Sequence, residues 1–75
     1  MRAEYKDCYK KIGLNIAYYR KLKDYTQEVL AEKIDVDQTH ISKIEVASVG
    51  ISLDTLFDLA KALEVAPHKL LEFRD

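Results

Sequence analysis

Thr26-Gln27-Glu28-Val29-Leu30-Ala31-Glu32-Lys33-Ile34-Asp35-Val36-Asp37-Gln38-Thr39-His40-Ile41-Ser42-Lys43-Ile44-Glu45 is the stretch that decides the fold. Thr26 offers a side-chain oxygen to the free amides of a helix start. Leu30, Ala31 and Ile34 follow at i, i+1, i+4, which predicts a short helix of about two turns. Asp35-Val36-Asp37 breaks it, and Asp tolerates the left-handed backbone better than most non-glycine residues. Asp37 is expected to cap the next helix, near residues 38–46. In that helix Ile41 and Ile44 face inward. Gln38, Thr39, Ser42, Lys43 and Val46 share the opposite side.

Working outward, Tyr5, Tyr9, Ile12, Ile16 and Tyr19 step by three or four and predict a first helix over residues 5–23. After the tight pair, Ala47 to Ile51 reads as a loop. Ser52 caps a fourth helix whose apolar face is Leu53, Leu56, Phe57, Leu59, Ala60 and Leu63. Pro67 suits the first turn of a fifth, since its missing N–H has no partner to lose there. Leu70, Leu71 and Phe73 follow. The expectation is one all-α domain over residues 1–75, a compact five-helix bundle.

Composition agrees. The chain has 75 residues, of which 48% are apolar, with only two Gly and one Pro. A β-sandwich or barrel would need far more turn residues. One cysteine, Cys8, excludes an internal disulfide and a cysteine-rich metal site. No apolar run is long enough to span a membrane and the first residues lack a signal-peptide core, so a cytoplasmic protein is expected. Net charge is −1. It is unevenly spread: residues 1–23 carry seven basic side chains against Glu4 and Asp7, and the remainder carries five against eleven acidic ones. One face can therefore be basic although the chain as a whole is not.

The run Ile12-Gly13, Ile16, Arg20, Thr26-Gln27, Leu30-Ala31-Glu32-Lys33-Ile34, Val36 and Ile41-Ser42-Lys43-Ile44-Glu45 resembles the Cro/repressor-type helix-turn-helix domain, the XRE family. Ser52-Leu53, Leu56, Leu59-Ala60, Leu63 and Val65 continue the likeness, so it covers about residues 10–72. The resemblance implies five helices, with a helix-turn-helix over about residues 26–46 and the third helix in the major groove of DNA. It implies base contacts by Gln38, Thr39, Ser42 and Lys43. It implies a phosphate contact by Gln27 at the second helix's start, and Thr26 and His40 are expected to contact phosphates beside it. Arg20 and Glu45 match a family pair that ties the first helix to the third. Where the family commonly has Gly, this chain has Asp24, Asp35 and Ala47. Val46 replaces a basic or amide residue, and Ile51 stands for a Pro.

These readings compete with plainer ones. His40 can be a solvated side chain, and the five tyrosines more simply pack than stack on single-stranded bases. Cys8 has no base partner that would make it a nucleophile, and His40 with His68 lacks a third metal ligand. No enzyme, cofactor, metal or small-molecule ligand is expected. The expected function is sequence-specific duplex DNA binding in transcription regulation. The alternative is a helical protein-interaction module of the same fold, antitoxin-like or adaptor. One short recognition helix covers too little sequence to define a site, so a homodimer on a two-fold operator is expected, with an interface near Leu70, Leu71 and Phe73. A phosphate carries no base identity, so Gln27 is expected to serve all sequences alike.

Overall fold

Residues 1–73 are described by the structure, a computed structural model. A 3-10 turn at Ala3–Tyr5 leads into α1 (Lys6–Leu22), followed by α2 (Gln27–Lys33), α3 (Gln38–Glu45), α4 (Leu53–Leu63) and a 3-10 helix at Pro67–Leu71. The fold is all-α, as the sequence predicts, but the fifth helix is 3-10 rather than α. Five residues are too few to gain from α-helical propagation, and 3-10 geometry is the usual form of so short a piece. Pro67 opens it and Leu70, fully buried, pins it to the core. Asn15 of α1 holds its end, donating from Nδ2 to the carbonyls of Leu70 at 3.0 Å and Glu72 at 2.9 Å.

The core gathers Ile12 and Ile16 of α1, Leu30 and Ala31 of α2, Ile41 and Ile44 of α3, and four residues of α4 around Leu70. Tyr9, Tyr19 and Tyr25 pack at its margin, whereas Tyr5 and Tyr18 are about half exposed. The predicted apolar face of α4 is too wide. Leu56, Leu59, Ala60 and Leu63 are buried, but Leu53 is 65% and Phe57 50% exposed. Phe57 follows Leu56 by one residue, a rotation of about 100° that carries it off the buried stripe. Leu53 stands in the first turn of α4, at the rim of the core.

Every α-helix ends in the same way. After α1, the amide of Tyr25 donates to Arg20 O and that of Asp24 to Lys21 O. The same double closure follows α2 at Val36 and Asp35, α3 at Ser48 and Ala47, and α4 at Val65 and Glu64. This is the Schellman motif, whose turning residue takes a left-handed backbone normally supplied by glycine. Here the turning residues are Asp24, Asp35, Ala47 and Glu64, with φ of 58°, 58°, 58° and 59°. Glu64 also pairs with Lys23 across the bundle. The Lys23 hydrogen bond, then its charge, lowers the Glu64 carboxyl below its usual range. That contribution is present at neutral pH and is lost as pH falls through the lowered pKa.

Gly13 lies mid-helix, where glycine costs about 1 kcal/mol against alanine. Its reason is contact. A Cβ there would lie 2.4 Å from the Glu45 carbonyl oxygen and 2.7 Å from that of Ile44. The bare Cα lets α1 close on the last turn of α3. Gly13→Ala should therefore destabilise by about 2 kcal/mol or more despite its better helix propensity. Thermal melting checks this; a raised melting temperature would show that α1 can retreat without penalty.

Candidate nucleic-acid interface

Helices α2 and α3 are joined by residues 34–37, and the turn is closed by the Val36 amide on Ala31 O at 3.0 Å. Ile41 and Ile44 are buried beneath α3. Gln38, Thr39 and Lys43 are exposed on its outer side and Ser42 is partly so. Among the described residues, none of these four side chains is drawn into an internal hydrogen bond or ion pair. The result is a short helix with an apolar back and a polar front free to meet another molecule. Val46, 65% exposed, extends the front with an apolar edge. His40 is partly buried beside it.

Two helix starts flank this front, and they differ. Thr26 caps α2, its Oγ1 accepting from the Val29 amide at 3.1 Å. Asp37 occupies the N-cap position of α3 with extended backbone (φ −74°, ψ 149°), but its side chain accepts no capping bond. The predicted cap is thus half realised: the backbone turns as a cap does, while the carboxylate makes no capping bond.

The last turn of α3 is held from three sides. Arg20 of α1 reaches Glu45 with two donors, Nε to Oε2 at 2.7 Å and Nη2 to Oε1 at 3.2 Å. Its remaining Nη1 donates to the Tyr25 carbonyl at 2.9 Å, just before α2. Gln27, the first residue of α2, donates from Nε2 to Glu45 Oε1 at 2.9 Å. Lys6 donates from Nζ to Ala47 O at 2.7 Å. The side chains of Arg20 and Glu45 are only 12% and 6% exposed. Such a carboxylate is tolerable only because its partners replace water.

Sequence reasoning missed the Gln27–Glu45 bond, the Lys6 contact and the Asn15 clasp. Gly13 was the one available signal of close approach, since an isolated glycine in a helical pattern usually has a packing reason. Nothing in the spacing of Lys6 or Asn15 shows which distant carbonyl the chain brings to them. Cys8 is exposed, and no group of acidic, His or Cys side chains among the described residues is arranged to hold a metal. No helix among them is long and apolar enough to cross a membrane.

A short helix presented on another, polar outward and braced at its end, is the arrangement of a helix-turn-helix. The Helix-turn-helix (HTH_3) family matches residues 16–70, and the chain belongs to it, as a DNA-binding transcription regulator of the Cro/repressor type rather than an enzyme. It is 39% identical over 57 residues to control protein C.SmaI of Serratia marcescens, covering 76% of this chain and 68% of that protein. The restriction-modification controller protein C.AhdI of Aeromonas hydrophila superposes with a TM-score of 0.86 at 27% identity, covering 89% of this chain and 97% of that one. SinR, a master regulator for biofilm formation solved in complex with DNA, superposes with a TM-score of 0.77 at 37% identity, covering 81% of this chain and 98% of that one.

Removing one partner of a buried ion pair strands the other charge, at about 3–5 kcal/mol. Glu45→Ala should therefore lower the melting temperature by roughly 12 °C or more, as each kcal/mol moves a domain of this size by about 4–8 °C. A shift of a degree or two would mean that solvent already satisfies Arg20.

Proposed function

We propose that the chain regulates transcription as a homodimer on a two-fold symmetric operator, in the bacterial cytoplasm. In this reading α3 of each protomer lies in the major groove. Gln38, Thr39, Ser42 and Lys43 meet base edges, and Thr26, Gln27 and His40 meet phosphates. The observation that carries the reading is the front of α3, whose four polar side chains make no internal hydrogen bond or ion pair among the described residues. Their chemistry suits base readout. Gln can bond adenine twice, the Thr methyl packs on thymine, and Lys reaches guanine or phosphate. The similarity to SinR, solved with DNA, supports the same docking.

The dimer follows from size. Eight residues of α3 extend about 12 Å, or about four base pairs, and a second copy one helical turn away supplies the missing information. An apolar groove of about 450 Å³ suits that second copy. Tyr5, Leu53, Leu71 and Phe73 line it and are between 38% and 65% exposed. It lies between the start of α1, the start of α4 and the C-terminal 3-10 helix, which places the surface nearer the chain termini than α3.

Binding to a selected duplex should fall steeply with salt. Neutralising about 6–8 phosphates per dimer gives a log–log slope of about −5 to −7. Gln38→Ala and Lys43→Ala should each cost about 1–3 kcal/mol on the preferred site and flatten preference at one base pair per half-site. Fluorescence anisotropy across a salt series measures both; a slope near zero would turn the fold toward protein interaction instead. Separately, Leu71→Asp should convert the dimer to monomer in sedimentation without unfolding it, as Leu71 is 46% exposed. A parent that is already monomeric at tens of micromolar, with or without operator, overturns the dimer.

A further inference from the structure

Gln27 is the first residue of α2, yet its side chain belongs equally to α3. Its Nε2 donates to Glu45 Oε1 at 2.9 Å, the oxygen that also receives Arg20 Nη2 at 3.2 Å. Glu45 is the last residue of α3. Its carboxylate is almost wholly withdrawn from solvent, so these bonds set where it sits. A primary amide has two N–H donors and a carbonyl acceptor. One donor spent on Glu45 leaves a second for an anion outside, and Gln27 is only partly buried.

We propose that Gln27 is a positioning residue for sequence discrimination, tying the contact it makes with a DNA phosphate to the setting of α3 through Glu45. The proposal rests on the DNA-binding reading above and departs from the expectation that Gln27 serves all sequences alike. The physical argument is leverage. Helix α3 has barely two turns, so a tilt at Glu45 displaces Gln38 to Lys43 as one body. Direct readout depends on hydrogen bonds with narrow angular tolerance. A misaligned helix loses those bonds on the matched site, whereas a mismatched site has fewer to lose. A contact that only held a phosphate would weaken both equally.

The test uses the full chain, its selected duplex, and the same duplex with one base pair changed in each half-site. Gln27→Met keeps the length of the side chain and removes its hydrogen bonds. The ratio of matched to mismatched affinity should fall by about fivefold. In a Glu45→Gln background, which already weakens the brace, the same change should alter the ratio by less than about twofold. In the free protein, the backbone amide resonances of Ile44 to Ala47 should move with Gln27→Met and stay in place with Gln38→Ala. Equal weakening on both duplexes, or an undisturbed last turn of α3, overturns the proposal and leaves Gln27 as a phosphate contact alone. Should Glu45→Gln fail to fold, the single variant's ratio and resonances decide the matter. A parent protein that binds no duplex at all is a different result: it removes the DNA-binding reading first, and this inference with it.

Discussion

The carboxylate of Glu45 is where three helices of this small bundle meet. Arg20 brings α1 to it, Gln27 brings the start of α2, and Arg20's third donor fixes the carbonyl of Tyr25 on the way into α2. Burying an ion pair is weak evidence for stability, because desolvation offsets much of the attraction. Its strength is selectivity among arrangements. Apolar contacts between α2 and α3 would tolerate several crossing angles; a guanidinium donating to three fixed oxygens tolerates few. The polar front of α3 inherits its orientation from that constraint.

The other braces on α3 act in the same sense. Gly13 removes a side chain so that α1 can touch the carbonyl end of α3, and Lys6 brings a cation to the carbonyl of Ala47 just beyond it. Positive charge at a helix C-terminus is favourable because the free carbonyls there carry a partial negative charge. The end of α3 is thus held by residues of α1 that lie behind it.

The helix-turn-helix was the most legible part of the chain. Local spacing alone separates Ile41 and Ile44 from Gln38, Thr39, Ser42 and Lys43, because a two-turn helix has one buried stripe and one outer face. Thr26 and Ser52 cap as their chemistry predicts, each accepting from the amide three residues on. Asp37 takes the backbone of a cap without the side-chain bond. Leu53 and Phe57 were misplaced because hydrophobicity reports what can be buried, and only the outline of the core decides what is. The 3-10 form of Pro67–Leu71 and the reach of Asn15 depend on contacts across the whole chain, which no local window contains. The pairing of Arg20 with Glu45 came from family likeness; the third member of that cluster, Gln27, had no signature in spacing.

The four helix ends carry a further consequence. A left-handed backbone costs a residue with a side chain roughly 1 kcal/mol, somewhat less for Asp. Held at Asp24, Asp35, Ala47 and Glu64 together, this strain is a sizeable part of the 5–15 kcal/mol or so that usually separates folded from unfolded domains. Glycine, which reaches that region freely, would remove the strain at any one of the four while leaving both closing backbone hydrogen bonds in place.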